Sequence, residues 1–264
     1  MNDAPTADAR PTPKKEGLKD LARRVLVPVY KPTRSLVARS ILQSIRMNPA
    51  LFEVWYRTRA WRYMLTRGVK SLDPAAAEDT STGFFDRVTS YNRSKIWEWH
   101  RTRTETLMAV MRCINSIPPH PKVLVIGPRN EAELLLLHLY DFQLADTTGI
   151  DIFSYSPKIE CQDMHDIKFP DSSFDIVYSA WTLKYSYDIK KACAEIIRVV
   201  KPGGLVATGF THTTYRSDLD GAPIKGGLQE LLRLFEPHVD WVYWQESLPI
   251  EDSENVTTIF RVRK

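Results

Sequence analysis

Residues Lys122–Phe142 read KVLVIGPRNEAELLLLHLYDF. A short run of Val, Leu and Ile ends at a glycine-bearing turn, and a leucine-rich helical pattern follows. The unit is repeated outward along the chain. TTGIDIF (147–153), QDMHDIKFPDSSFDIVYSAW (162–181) and IIRVVKPGGLVATGF (196–210) each carry a branched apolar run that ends in a polar or glycine turn. Such runs alternating with helical patterns predict β-α-β units and a parallel sheet. Ligands of open parallel sheets sit outside the carboxyl ends of the strands. The informative residues are therefore those after each strand: Gly127–Glu133, Asp151, Asp163–Met164 and Trp181.

Three segments carry a family resemblance: GID at Gly149–Asp151, QDMHDIKFPDSSFDIV at Gln162–Val177, and RVVKPGG at Arg198–Gly204. In order and spacing the chain from Lys122 onward resembles a class I S-adenosylmethionine-dependent methyltransferase with a methyltransferase type 11-like domain. The resemblance implies an α/β, Rossmann-like, seven-stranded, mostly parallel sheet whose last strand is antiparallel. Val239–Gln245 and Val256–Val262 are the expected final pair, and a helical N-terminal extension precedes the sheet. It implies S-adenosyl-L-methionine as cofactor and methyl transfer as activity, with Asp163 meeting the exocyclic amine of adenine and Met164 packing on the ring. Tyr91, Trp97 and Trp99 would wall the pocket.

A carboxylate at Asp151 suits both ribose hydroxyls, and Ile152 lies beside it. Gly127, Pro128, Arg129 and Glu133 form the loop at the amino-acid end. This loop departs from the family: it has one glycine, and Val125 stands where an acid is usual. Asn130 and Glu133 have the spacing of a capping box; alternatively Glu133 replaces the missing acid. Arg129 is a partner for the methionyl carboxylate. Glu131 and Glu133 would repel a pyrophosphate, which seeks bare N–H groups at a helix start, but suit a sulfonium and an ammonium. Trp181 offers an aromatic face to a cation. Lys184 and Tyr185 reach toward an acceptor. Tyr185 and His212 are the catalytic candidates, His212 with Tyr215 and Asp218 in a long polar loop. His165 is a weaker candidate base, and no metal ligand set is expected.

The chain has 264 residues, net charge +4 and 43% apolar content. Residues 1–116 hold 21 Lys/Arg against 11 Asp/Glu, and the remainder 15 against 21. A basic front half suggests an anionic counterpart: nucleic acid, a membrane surface, or the chain's own acidic half. Residues 1–16 read as a disordered tail, 17–117 as a basic helical cap or interaction region, and 118–264 as the cofactor-binding domain. Within 51–69 the aromatics Trp55 and Trp61 are interleaved with arginines. That pattern is expected to form a core seam, with base stacking or a homodimer face as alternatives. No run of ~20 apolar residues predicts a membrane span, and the first residues lack the apolar region of a signal peptide. Three scattered cysteines argue for a reducing compartment, so a cytoplasmic protein is expected, with peripheral membrane attachment left open.

The acceptor is expected to be a small molecule, lipid or sugar. Three other readings stand beside it. One is an inactive methyltransferase-like scaffold. A second is a nicotinamide oxidoreductase, opposed by the missing G-x-G-x-x-G and by the loop acids. The third is a nucleic-acid methyltransferase, opposed by SAWT where an N-P-P-Y-type motif would stand.

Overall fold

A computed structural model of the chain describes residues 40–41, 44, 48–72, 84–94, 96–98, 101–213, 227–250 and 253–264. The expected tail 1–16, residues 17–39 and 73–83 of the basic helical region, Trp99, Tyr215 and Asp218 lie outside them, as does the side chain of His212. Two compact units divide at Met1–Pro49 and Ala50–Lys264. In the first, the Ser44 hydroxyl donates to the Ser40 carbonyl, a helical bond. The second contains everything below.

Its centre is a seven-stranded sheet. The strands are β2 (Val123–Ile126), β3 (Thr147–Asp151), β5 (Ile159–Cys161), β6 (Phe174–Ala180), β7 (Val200–Thr213), β8 (Val239–Ile250) and β9 (Ser253–Val262), in the order β5-β3-β2-β6-β7-β9-β8. The first five pair in parallel; β9 runs antiparallel to both β7 and β8, between them. β2 is buried at all four positions. That is why its sequence is a continuous apolar run and does not alternate: helices cover both faces of a parallel sheet. The helices following β2 and β6 are α4 (Ala132–Leu139) and α5 (Ile189–Val199), and α6 (Gly227–Leu234) precedes β8. Asp188 caps α5 by accepting from the Lys191 N–H at 3.1 Å, and Ala192, Ile196 and Val199 turn into the main core.

The KPGG segment is drawn tightly against β6. Gly204 leaves no room for a side chain, since a Cβ would lie 2.8 Å from the Asp175 carbonyl oxygen. Lys201 Nζ meets Asp175 Oδ1 at 2.7 Å on the same bend.

The helices before the sheet belong, from Ala50 onward, to the same compact unit as the sheet. They are α1 (Pro49–Arg67), α2 (Phe84–Ser94) and α3 (Arg101–Arg112). A two-stranded ribbon pairs β1 (Lys70–Ser71) with β4 (Phe153–Ser154). Ala60 of α1 packs with Ile96, Phe153 and Tyr155 in a second, smaller core, joined by Trp97 and Ile152. The Tyr56 hydroxyl donates to the Trp97 carbonyl. The aromatic seam of α1 is thus Phe52 and Tyr56, both buried, whereas Trp61 faces outward. The core-seam expectation is corrected on that point.

Candidate active site

The carboxyl ends of β2, β3, β5 and β6 converge on a cavity of about 290 Å³. Gly127, Pro128, Arg129 and Glu133 reach it from the loop and helix after β2. Asp151 and Ile152 reach it from β3, Asp163 and Met164 from the segment after β5, and Trp181 and Tyr185 from the end of β6. Val88, Tyr91 and Asn92 of α2 close another wall. Trp97 is not on it, having gone to the smaller core.

The β2 loop is held from two sides. Gly127 has φ +68°, and a Cβ there would lie 2.9 Å from Thr182 Cβ and nearer still to Thr182 Oγ1 and Cγ2. Thr182 is not free to swing, because its hydroxyl donates to the Ile126 carbonyl at 2.9 Å. Arg129 also has positive φ, and its N–H donates to Asp151 Oδ2 at 3.0 Å. Asn130 Oδ1 accepts from the Ala132 N–H at 2.9 Å, an Asx turn that leads into α4. Its amide donates to the carbonyls of Ile96 and Glu98.

Glu133 does not complete a capping box, since its Oε2 is buried with no hydrogen-bond partner. Burial raises its pKa to about 8, against the field of Arg129 and helped by that of Asp151. Burial likewise raises Asp151 to about 6, although the Arg129, Ile152 and Phe153 N–H groups pull the other way. A buried carboxylate without a donor is costly to ionise. It becomes favourable when a cation enters.

Glu131 has a different role from the one its position suggested. It is 1% exposed and bound by Arg59 of α1, with Nε to Oε2 at 2.8 Å. Arg59 Nη2 lies 3.4 Å from Oε1, and the Ser156 hydroxyl also donates to that oxygen. Its charge is neutralised within the protein and adds nothing to the cavity. Sequence patterning had no signal for this pair, whose members lie 72 residues apart.

The Asp163 carboxylate is also partly committed. Oδ1 accepts from the His165 N–H at 2.9 Å and faces His165 Nδ1 at 2.5 Å, and Oδ2 accepts from the Tyr187 hydroxyl at 2.9 Å. Burial opposes its ionisation, but the bonds from His165 and Tyr187 outweigh it and hold Asp163 below the usual carboxylate range. His165 Nε2 lies 2.6 Å from the Ser186 hydroxyl, and its ring stacks on Tyr187 at 3.6 Å. With both nitrogens engaged, His165 is a buried brace and not a free base. Ser186, Tyr187 and Thr182 were not singled out from sequence; their position just beyond β6 was the available signal.

Trp181 has φ +56°, uncommon for a bulky residue and typical of strained functional positions. The strain is held by its N–H bond to the Gly209 carbonyl at 2.6 Å and by its indole bond to Thr211 Oγ1 at 2.9 Å. Lys184 Nζ lies 4.9 Å from the centre of the Tyr185 ring. No metal-binding group of His, Cys, Asp and Glu occurs among the described residues.

The donor set fits an adenosyl sulfonium ligand. Asp151, held by the Arg129 N–H, borders the cavity together with Asp163 and Met164, and Glu133 brings to it a buried oxygen with no protein donor. The raised acids give a signed pH dependence. A group raised in the folded state stabilises the fold at low pH and loses that contribution as pH rises through the folded value. The ligand-free melting temperature is therefore expected to fall between pH 5 and 8.5, and Glu133→Gln to flatten the fall. Binding a ligand that carries an ammonium at pH 7 should release on the order of one proton, read by calorimetry in buffers of different ionisation enthalpy. Methylthioadenosine, which lacks the amino-acid end, should release less.

Residues 132–208 match the family described as a methyltransferase domain. The chain is 38% identical over 79 residues to a malonyl-[acyl-carrier protein] O-methyltransferase of Halorhodospira halophila, a match covering 30% of this chain and 27% of that one. It is 30% identical over 156 residues to the human eEF1A lysine and N-terminal methyltransferase, covering 50% of this chain and 22% of that protein. The chain thus spans less than a third of either relative. Among solved structures, the Burkholderia thailandensis 1,6-didemethyltoxoflavin-N1-methyltransferase, crystallised with 1,6-didemethyltoxoflavin and S-adenosylhomocysteine, shares the fold. Its TM-score is 0.54 at 12% identity, over 74% of this chain and 95% of that one. Residues 132–208 thus match a methyltransferase domain, and the sheet around them shares the fold of that solved methyltransferase.

Proposed function

We propose that this protein transfers a methyl group from S-adenosylmethionine to a small-molecule acceptor. The observation that carries the reading is the acid set of one cavity: Glu133, Asp151 and Asp163 all border it, and Glu133 keeps an oxygen with no protein donor. Such a set attracts a cation and repels a phosphate.

When bound, the cofactor supplies a methyl group made electrophilic by its sulfonium. The residues of the chain position and enclose. Asp151, held by the Arg129 N–H, accepts from hydroxyls. Glu133, ionised by an incoming ammonium, fixes the amino-acid end, and Trp181 offers its ring to positive charge. Tyr91, Asn92, Lys184 and Tyr185 border the same cavity, which supports a reading in which they receive the acceptor and Tyr185 touches it. Alignment of two bound reactants can contribute ~7–11 kcal/mol, so a general base is required only for an acceptor that must lose a proton. Walls supplied by α2 and the 96–98 turn support a small acceptor.

Calorimetry with S-adenosylhomocysteine tests the reading. Asp151→Asn removes charge-assisted bonds worth about 1.5–3 kcal/mol, so binding should weaken roughly 10- to 150-fold. NAD⁺ should not bind. Unchanged affinity in Asp151→Asn, or NAD⁺ bound as tightly as S-adenosylhomocysteine, would overturn the assignment.

A further inference from the structure

The outer face of α1 carries an exposed apolar stripe. Leu51, Val54, Trp61 and Leu65 are 49, 63, 62 and 67% exposed. Spaced i, i+3, i+10 and i+14, they fall within about 80° of one side of the helix, opposite the buried Phe52, Tyr56 and Ala60. Thr58, whose hydroxyl is turned back to the Val54 carbonyl, completes the stripe without interrupting it. Arg62 flanks it on one side and Arg57, ion-paired with Glu53, on the other, both exposed, and Arg67 and Lys70 lie exposed at its end. The sequence just before the helix adds seven basic residues and one acidic residue between positions 17 and 46.

We infer that this face of α1 lies on an anionic lipid surface. The chemistry fits that occupant best. An interfacial helix puts aliphatic and Trp side chains into the acyl boundary, while arginines on either side reach the headgroups. Each basic residue near an anionic leaflet adds to the attraction. A second copy of the chain would fit the stripe by shape, but it would set the cations at Arg62, Arg67 and Lys70 against like charges. A nucleic acid would satisfy the arginines and leave Leu51, Val54 and Leu65 without apolar cover. No described helix is long and apolar enough to span a membrane, so the contact is peripheral. The inference is independent of the methyl-transfer reading.

The test is flotation of the full-length protein with vesicles of phosphatidylcholine alone and of phosphatidylcholine with one third phosphatidylglycerol. The protein is expected to float with the anionic vesicles and to remain behind with the neutral ones. Trp61→Glu/Leu65→Glu should weaken binding to the anionic vesicles at least tenfold, with an unchanged melting temperature and unchanged S-adenosylhomocysteine affinity, because both side chains are solvent-facing. Arg57→Gln/Arg62→Gln should weaken binding to anionic vesicles and leave the fold intact. Three results would overturn the inference. One is no flotation of the wild-type chain. A second is full flotation of Trp61→Glu/Leu65→Glu, which would assign any binding to residues 17–46 alone. The third is a concentration-dependent dimer, or a salt-sensitive RNA complex, abolished by the same double substitution in a protein that ignores lipid.

Discussion

Arg59→Ala is expected to lower the melting temperature by roughly 6–12 °C, a loss of about 3 kcal/mol for a domain of this size. The reason is the partner left behind. Glu131 is 1% exposed at the start of α4, and Arg59 is the cation that neutralises it. Removing one member of a buried pair strands the other charge in a medium that cannot solvate it. Glu131→Gln in the Arg59→Ala background removes that charge while leaving an oxygen for the Ser156 hydroxyl. The double variant should therefore recover much of the loss. Thermal denaturation of the four proteins measures the coupling. An additive cycle, or a drop below about 2 °C for Arg59→Ala alone, would mean that α1 is only loosely tied to the β2 loop.

Gly127→Ala should be nearly as damaging to stability and more damaging to the site. A left-handed conformation costs an L-residue about 1–2 kcal/mol, and overpacking adds about 1–3 kcal/mol. The new methyl falls on Thr182, which is anchored to the Ile126 carbonyl. Either the Thr182 hydrogen bond breaks or the loop carrying Pro128, Arg129 and Glu133 shifts. Because Arg129 supplies the N–H that fixes Asp151, a loop shift reaches the ribose end as well. S-adenosylhomocysteine affinity is expected to fall on the order of 100-fold, a loss of about 3 kcal/mol, with Thr182→Ala restoring part of it. Full affinity in Gly127→Ala would show that the loop yields without consequence, and the close approach to Thr182 would lose its functional meaning.

The sheet was legible because burial on both faces writes continuous Val/Ile runs into β2, β6 and β7, and the strand-end rule then pointed at Asp151, Asp163 and Trp181. The mixed outcome at α1 shows where such patterning stops. The helix has two apolar faces, one with Phe52 and Tyr56 and one with Leu51, Val54, Trp61 and Leu65. Periodicity sees both and cannot say which meets the core. Capping logic failed at Glu133 for a related reason: the spacing fits a box, but the helix starts one residue later, at N-cap Glu131, and the tertiary surroundings leave Glu133 facing the cavity. Glu131 looked like a site acid until Arg59 was seen beside it. His165 looked like a candidate base, yet its partner Ser186 follows only from the turn after β6. In each case the deciding partner is distant in sequence.

The position of β9 in the sheet has a consequence for synthesis. β9 joins β7 to β8 by pairs running from Leu205↔Arg261 to Thr213↔Ser253 on one side and from Val239↔Val262 to Ile250↔Ser253 on the other. A ribosome makes β7 and β8 first, so each waits with an unsatisfied edge until residues 253–262 emerge. Unpaired edges template misassociation. A nascent chain arrested before Ser253 would carry its parallel half nearly finished and still be sticky, so the wedge strand also seals the sheet.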